Sequence, residues 1–240
     1  MDGDNNNVKG EGIALIQGKE PVNQVEEIIQ KTVSFVKTSL AGAEGGHDWY
    51  HIERVWKMAG YIRKKEDRGD RLTIELAALL HDISDPKFNG GDGEKGSQLA
   101  YNFLMKQKVG REVAEHIQAI VKYVSFKGGF PQDGIHSIEF QIVQDADRLD
   151  AIGAIGIARA FNYGGFKNRP LYDPSIPLQE YRDSESYYKS GAPTINHFSE
   201  KLLKLKDLMN TRTGKQLAQE RHRYMEQFLE RFYRECDPGK

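Results

Sequence analysis

Three short segments of the chain carry ionisable side chains at positions where helix packing would favour apolar ones. They are residues 47–55, residues 79–85 and residues 143–150. In the first segment, Asp48 and His51 lie three residues apart and share a helical face with an apolar stripe. The second ends a hydrophobic stretch with the pair His81-Asp82, and the third contains Asp147. Because a buried carboxylate or imidazole without a partner is costly, we expect each of these groups to have one.

A divalent cation could satisfy all three segments together. Two imidazoles and two carboxylates form a mixed nitrogen and oxygen set that suits Mn²⁺, Fe²⁺, Mg²⁺ or Zn²⁺. The single cysteine, Cys236, lies far along the chain, and the absence of sulfur ligands argues against a structural zinc finger. From spacing alone a second interpretation stays open, in which each ionisable group caps a helix or forms a salt bridge in the core.

The order of these residues resembles the HD-domain metal-dependent phosphohydrolase superfamily. Its signature is a histidine on one helix, a His-Asp pair on another and a distant aspartate, which here are His51, His81-Asp82 and Asp147. The surrounding segments HDWYHIERV, LAALLHDISDPKF and VQDADRLDAIGAIGIARAF are similar to a bacterial subgroup that includes nucleoside-triphosphate pyrophosphohydrolases. The segment HFSEKLLKLKDLMNT and the helix after it are also similar, so the resemblance covers about residues 22–235.

The resemblance implies that four side chains hold the metal. These are His51, His81, Asp82 and Asp147. A competing assignment uses His47 and Asp48, which also form a His-Asp pair. His51 is favoured because the family's first motif places the ligand histidine three residues before an Arg-Val pair, here residues 54–55. His47 is then expected to contact a ligand or the substrate.

The resemblance also bears on the number of metal ions. Two-metal members of the superfamily add histidines between the His-Asp pair and the last aspartate, and the candidates here are His116 and His136. Related two-metal enzymes carry a histidine where this chain has residues 121–128, and that segment has none. We therefore expect one divalent ion, Mn²⁺ or Mg²⁺ in preference to Fe²⁺, Co²⁺, Ni²⁺ or Zn²⁺.

Phosphoryl chemistry also needs cations besides the metal, because charge develops on nonbridging oxygens. The basic candidates near the motifs are Arg54, Lys87, Lys95, Lys122 and Lys127. We expect Arg54 and Lys87 to act in catalysis. We expect Lys122 and Lys127, together with His47, to bind the substrate. The alternative is that each lysine is a solvated surface charge and that Arg54 pairs with a carboxylate.

Three further carboxylates lie near the implied ligands. Asp85 follows His81 by four residues and is expected to orient or deprotonate a water molecule, as a carboxylate does in related single-metal nucleotidases. The alternative for Asp85 is a capping role before Pro86. Asp145 and Asp150 are expected to contact the ligands or to cap a helix.

The elements that must position these residues are helices. Apolar residues recur at spacings of three and four, and no convincing pair of strands is present. The predicted helices cover residues 22–40, 49–66, 72–81, 94–108, 111–124, 137–161, 194–210 and 214–235. The sequence thus predicts an all-α fold, a single helical HD domain at residues 21–240 with a central metal cleft and eight or nine helices.

Two segments fall outside this helical pattern. Residues 1–20 are rich in Gly, Asn and charge, and are predicted to form a mobile tail. Residues 164–193 hold four of the eight prolines and four tyrosines, and are predicted to form a long loop. One hypothesis is that this loop closes over the cleft as a lid. The alternative is a loop that is packed on the surface or helps to form a dimer.

Composition limits the kinds of partner. The chain has 240 residues, with 34 Lys and Arg against 35 Asp and Glu, and this balance argues against a protein held on nucleic acid by bulk electrostatics. No stretch approaches the ~18 consecutive apolar residues that a membrane helix needs. One cysteine cannot form an intrachain disulfide framework, which suits a reducing compartment. We expect a cytoplasmic monomer or homodimer that binds a small phosphorylated molecule, and neither nucleic acid nor a membrane.

The resemblance implies metal-dependent hydrolysis of a phosphoric ester or anhydride. Within that class the subgroup implies cleavage of nucleoside or deoxynucleoside triphosphates to monophosphate and pyrophosphate. The nearest alternatives are a 5′-nucleotidase that acts on monophosphates and an alarmone hydrolase. An alternative of another class is a scaffold protein that binds a metal at an inactive HD site.

Overall fold

The structure is a computed structural model that describes residues 21–42, 46–83, 93–124, 135–179 and 191–239. Within these ranges it contains α-helices and one 3-10 helix, and no β-strand. The α-helices are α1 (Pro21–Ser39), α2 (Trp49–Glu66), α3 (Arg71–Leu80), α4 (Gly93–Lys106), α5 (Arg111–Tyr123), α6 (Ile138–Asp150), α7 (Gly153–Phe166), α8 (Asn196–Glu200) and α9 (Arg212–Cys236). The 3-10 helix spans Leu202–Leu208 and lies between α8 and α9. The predicted all-α fold is confirmed.

Short polar side chains determine where several helices begin. The Asp48 carboxylate accepts a hydrogen bond from the backbone N–H of His51 at 3.0 Å, and this contact caps α2. Asp70 accepts one from the backbone N–H of Thr73 at 2.8 Å and caps α3 in the same way. Such caps satisfy backbone donors that have no partner within the helix, and each stabilises a helix by about 1 kcal/mol.

Helix α3 lies at the centre of the core. Ile74, Leu76, Leu79 and Leu80 are all completely buried. They pack among α1, α2, α5 and α6, and α2 also packs directly against α6. Burial of each such side chain contributes roughly 1.5–3 kcal/mol to folding. Helices α2, α3 and α6 therefore pack against one another, and these are the helices that carry the sequence motifs.

The predicted single helix at residues 137–161 is wrong, because the chain breaks between α6 and α7. Ile152 has an extended backbone (φ −126°, ψ 166°) and Gly153 follows at φ +76°, a left-handed conformation that favours glycine. Gly156 lies so close to the carbonyl of Ala151 that an added Cβ would clash with its oxygen. The small residues of this segment permit a sharp turn, and they do not simply continue the helix.

The predicted helix at residues 194–210 is also interrupted. Lys201 leaves the helical conformation at φ −136°, so α8 ends there and the 3-10 helix follows. Upstream, α7 runs to Phe166, five residues beyond the predicted helix end at residue 161.

Part of the predicted loop at residues 164–193 is packed against the last helix. The ring of Tyr172 meets those of Phe232 and Tyr233 edge-on, with centroids 6.1 and 5.7 Å away. The backbone N–H of Thr194 donates to the carbonyl of Pro170 at 2.8 Å. Residues 180–190 and the predicted tail at residues 1–20 lie outside the described residues, and both the lid and the tail stay predictions. Across the described helices, none has both the length and the apolar character to cross a membrane.

Candidate metal centre

The four side chains implied as metal ligands come from three parts of the fold. Helix α2 supplies His51, the residues that follow α3 supply His81 and Asp82, and α6 supplies Asp147. The Nε2 atoms of the two histidines lie 3.2 Å apart, and Asp147 Oδ1 lies 3.6 Å from each of them. Asp82 Oδ2 is 3.8 Å from His51 Nε2. His51, His81 and Asp147 therefore form one group of possible ligand atoms, Asp82 lies beside that group at His51, and both imidazoles are buried.

The hydrogen bonds behind the two histidines point both Nε2 atoms at that space. His51 Nδ1 lies 2.7 Å from Asp150 Oδ2, and His81 Nδ1 lies 2.8 Å from the carbonyl oxygen of Ala78. Each of these oxygens can only accept, so each ring nitrogen donates to it. In a neutral imidazole the opposite nitrogen then carries a lone pair. If both imidazoles are neutral, two lone pairs face each other at 3.2 Å, an arrangement that a cation between them would stabilise.

A divalent ion suits this set of donors. Metal–nitrogen bonds of about 2.0–2.1 Å place two ligand atoms about 3.0–3.4 Å apart when the angle between the bonds is tetrahedral or smaller. The observed separation of the two Nε2 atoms, 3.2 Å, falls in that range. Two carboxylates would balance the charge of a divalent ion, and neutral imidazoles would add no charge. The His/Asp cluster can therefore hold a divalent metal.

The two histidines have opposite pKa shifts in the metal-free protein. Burial and the charge of Arg159 lower the pKa of His51 to about 4. Burial also acts to lower the pKa of His81, but pairing with Asp147 and the charge of Asp82 outweigh it and raise the pKa to about 9. The charge of the two carboxylates thus favours a cation at this position.

The carboxylates are held in their charged form. Burial acts to raise the pKa of Asp147, yet the pairing with His81 and its charge lower it to about 2. Burial acts in the same direction on Asp82, and there the charge and hydrogen bond of His47 hold the pKa well below its usual range. Both groups are charged at neutral pH, as carboxylates that bind a metal must be.

His47 and Asp48, the competing pair, have other contacts. His47 Nδ1 lies 2.6 Å from Asp82 Oδ2, so His47 contacts one of the implied ligands. Its ring belongs to a second group of possible ligand atoms with His51 and Asp82. Asp48 is the N-cap of α2. His81 and Asp147 gather around His51 and not around His47, which favours His51 as the ligand.

Asp150 forms a buried network behind His51. Arg54 donates to both of its oxygens, from Nε at 2.6 Å and from Nη2 at 3.0 Å. Arg159 on α7 donates to Asp150 Oδ2 at 2.6 Å. Burial acts to raise the pKa of Asp150, but the hydrogen bonds from His51 and Arg54 hold it well below its usual range. Arg54, predicted to act in catalysis, has its guanidinium bound to Asp150.

Asp145, the other carboxylate of α6 near the implied ligands, holds the segment that precedes the last helix. It accepts hydrogen bonds from the backbone N–H groups of Asn210 and Thr211, at 2.8 and 2.7 Å. The Thr211 hydroxyl donates to it as well, at 2.8 Å. Thr211 is itself the N-cap of α9, so Asp145 orients the capping residue and does not cap the helix directly.

The remaining predicted residues lie apart from this cluster or outside the described residues. Lys122 forms an ion pair with Glu94 at 2.6 Å. His116 Nε2 lies 2.8 Å from the Ser137 hydroxyl, and the residues His136 and Lys95 are exposed. Among the described residues, neither His116 nor His136 belongs to a group that could hold a metal. Asp85, Lys87 and Lys127 lie outside the described residues.

Arg159 is the residue of this region that the sequence did not suggest. It lies nine residues after Asp150, where one continuous helix would place it on the opposite face. The run of small residues at Gly153 and Gly156 was the available signal, because glycines within a helical pattern can mark a break.

Comparison with known proteins identifies the family of the chain. A family model described as HD domain matches residues 48–152, a range that includes the four side chains implied as ligands. YpgQ of Bacillus subtilis, an uncharacterised protein, is 40% identical over 208 residues, which are 86% of this chain and 92% of YpgQ. A crystal structure of an HD-superfamily hydrolase from Bacillus thuringiensis is 46% identical, with a TM-score of 0.68 and coverage of 89% of this chain and 98% of that chain.

A further solved structure is Bacillus subtilis YpgQ in complex with ADP. It superposes with a TM-score of 0.69 at 35% identity and covers 90% of this chain and 98% of that chain. The chain therefore belongs to the HD domain family and is an HD-superfamily hydrolase.

Proposed function

We propose that this protein is a divalent-metal-dependent phosphohydrolase that cleaves nucleoside or deoxynucleoside triphosphates to monophosphate and pyrophosphate. The observation that carries the proposal is the group formed by His51, His81 and Asp147, with Asp82 beside it at 3.8 Å from His51 Nε2. The nucleotide part is supported by the YpgQ relative, whose crystal structure is a complex with ADP. It also rests on the resemblance of the motif segments to the pyrophosphohydrolase subgroup.

In this proposal the chain holds one divalent ion through four side chains. They are His51, His81, Asp82 and Asp147. The chemistry that such an ion supplies is polarisation of a phosphoryl oxygen and activation of a water molecule. His47 orients the Asp82 carboxylate through their 2.6 Å contact and lies at the edge of the cluster.

The remaining roles follow from charge and from position in the sequence. Asp85 orients the attacking water or accepts its proton, and Lys87 and Lys127 neutralise the charge on the β- and γ-phosphates. Arg54 acts through Asp150, because its guanidinium makes two hydrogen bonds to that carboxylate. Lys122 can reach a phosphate only after it leaves Glu94, so we give it a smaller role in binding.

The test is a panel of nucleotides with product analysis, run with Mn²⁺ and with Mg²⁺. The panel contains nucleoside and deoxynucleoside triphosphates, diphosphates, monophosphates and an alarmone. We expect monophosphate and pyrophosphate in equal amounts from triphosphates, with no turnover after the metal is chelated. Phosphate released from monophosphates would indicate a 5′-nucleotidase. Preferential cleavage of the alarmone would indicate an alarmone hydrolase. No turnover of any compound by a protein that holds metal would support the scaffold alternative.

Two variants serve as controls for the metal dependence. His81→Ala and Asp82→Ala should each lose both bound metal and activity, because each removes one of four donors. Circular dichroism checks that the variants fold. Unchanged metal content in both folded variants would contradict the ligand assignment.

A further inference from the structure

Asp150 lies behind His51, on the side of the imidazole that faces away from the cluster. Its Oδ2 is 2.7 Å from His51 Nδ1, and its side chain is only 5% exposed. A carboxylate in this position commonly orients a metal-binding histidine and selects which ring nitrogen carries the proton.

Two arginines from different helices hold this carboxylate. Arg54 on α2 donates to Oδ1 at 2.6 Å and to Oδ2 at 3.0 Å, a fork that fixes the plane of the carboxylate. Arg159 on α7 donates to Oδ2 at 2.6 Å, and its side chain is 17% exposed. Asp150 thus accepts three arginine hydrogen bonds in addition to the one from His51.

Arg159 also creates a competing arrangement. Its Nη1 lies 3.0 Å from His51 Nδ1, and an arginine can only donate. If Arg159 donated to Nδ1, the imidazole proton would be on Nε2 and would point at the cluster. If His51 donates from Nδ1 to Asp150, then Nε2 carries the lone pair. The shorter distance, 2.7 Å against 3.0 Å, and the charge of the acceptor favour Asp150.

We propose that Asp150 is a positioning residue that fixes His51 in the tautomer whose Nε2 can bind the ion, and that Arg54 and Arg159 hold its carboxylate for this purpose. The inference rests on the proposed metal site for its effect on metal affinity. The tautomer itself is a property of the metal-free protein, so it can be tested separately.

The break between α6 and α7 is what makes this arrangement possible. In one continuous helix, nine residues would separate Asp150 and Arg159 by about 13.5 Å along the axis and by half a turn around it. The turn at Gly153 interrupts the helix, so that the Arg159 guanidinium lies 2.6 Å from Asp150. The conformation at Gly153 therefore helps to place Arg159 on Asp150, the carboxylate that orients His51.

The test combines nitrogen NMR of the histidine rings in the metal-free protein with Mn²⁺ titration by calorimetry. In the wild type, we expect the proton of His51 on Nδ1. Asp150→Ala leaves Arg159 as the nearest polar partner, so we expect the proton on Nε2 and Mn²⁺ affinity reduced about 10- to 100-fold. Asp150→Asn keeps an oxygen acceptor and should retain the wild-type tautomer with a smaller loss of affinity.

Two further variants separate this role from a merely structural one. In Asp150→Ala combined with Arg159→Ala the competing donor is gone, so part of the lost affinity should return. Asp145→Asn alters a buried carboxylate of the same helix that contacts Asn210 and Thr211, and it should change neither the tautomer nor the affinity.

Several outcomes would overturn the proposal. One is a wild-type spectrum with the His51 proton on Nε2, which needs no variant and so decides the matter even if Asp150→Ala does not fold. Another is wild-type Mn²⁺ affinity in folded Asp150→Ala. If the wild type binds no metal while the tautomer responds as expected, the proposed function fails and the positioning role of Asp150 stands.

Discussion

His47 precedes α2 and His51 lies in its first turn; both face Asp82, at 2.6 and 3.8 Å, but the protein holds them differently. His51 is 1% exposed and its Nε2 faces His81, whereas His47 is 16% exposed and its Nδ1 faces Asp82. A ligand and a residue that orients a ligand should respond differently to truncation.

We therefore expect His51→Ala to lose the metal and His47→Ala to keep it with weaker affinity, since Asp82 would remain as a ligand but lose its partner. Metal content after dialysis, measured by elemental analysis on both folded variants, checks this. The reverse pattern, with metal lost only from His47→Ala, would assign the site to the earlier histidine.

At the scale of helices, a carboxylate from α2 caps the start of α9. Glu66 accepts hydrogen bonds from the Thr213 backbone N–H at 2.7 Å and from the Thr213 hydroxyl at 2.5 Å. The hydroxyl and backbone hydrogen bonds, in that order, lower the pKa of Glu66 below its usual value of 4.5. A negative charge at a helix N-terminus is also favourable to the helix dipole.

Because the folded-state pKa of Glu66 is lowered, its contribution to stability is present above pH 4.5 and is lost as the pH falls through the folded-state value. Glu66→Gln should therefore lower the free energy of unfolding at pH 7. Because this carboxylate is only partly buried, solvent screening limits the loss to about 0.5–1 kcal/mol, and the difference should shrink below pH 4. Urea denaturation across this pH range measures it. Glu230→Gln, in an exposed pair with Arg234 within α9, is the control and should change stability by less than about 0.5 kcal/mol. An equal loss from Glu66→Gln at all pH values would contradict the charged cap.

The helices were largely predictable, and their breaks were not. The caps at Asp48 and Asp70 and the apolar spacing of α2 and α3 are local signals, so the predicted bounds agree with the structure to within a residue or two. The break at Gly153 depends on how α7 packs against α9, a tertiary contact that periodicity cannot express.

The candidate site likewise contains residues that the sequence predicts and contacts that it does not. The sequence predicts His51, His81, Asp82 and Asp147 as ligands because their order along the chain resembles a family motif, and the structure brings these side chains near His51. The contact of Arg159 with Asp150 could not be predicted, because it exists only through the turn between α6 and α7. The sequence predicts a catalytic role for Arg54 because this residue lies beside a motif. Its contact with Asp150 could not be predicted, because proximity in sequence does not determine which partner a side chain reaches.

At the scale of the whole molecule, the cluster joins α2, α3 and α6, so a bound ion would connect three helices that are distant in sequence. A ligand that binds only the folded state stabilises it by about 2.7 kcal/mol at a concentration 100 times its Kd. For a domain of this size, that corresponds to a rise in Tm of roughly 5–10 °C.

We accordingly expect Mn²⁺ to raise the Tm of chelator-treated wild type and to leave that of His81→Ala unchanged, as differential scanning calorimetry can measure. An equal rise in both proteins would mean that the ion binds elsewhere.

Anomalous diffraction from crystals equilibrated with Mn²⁺ would locate the divalent ion that we place among the two histidines and the two aspartates. We expect one strong peak about 2 Å from His51 Nε2 and His81 Nε2, with oxygens of Asp82 and Asp147 completing the protein ligands. A peak bound by His47 without His81 and Asp147, or no peak at the cluster in crystals that contain Mn²⁺, would contradict it.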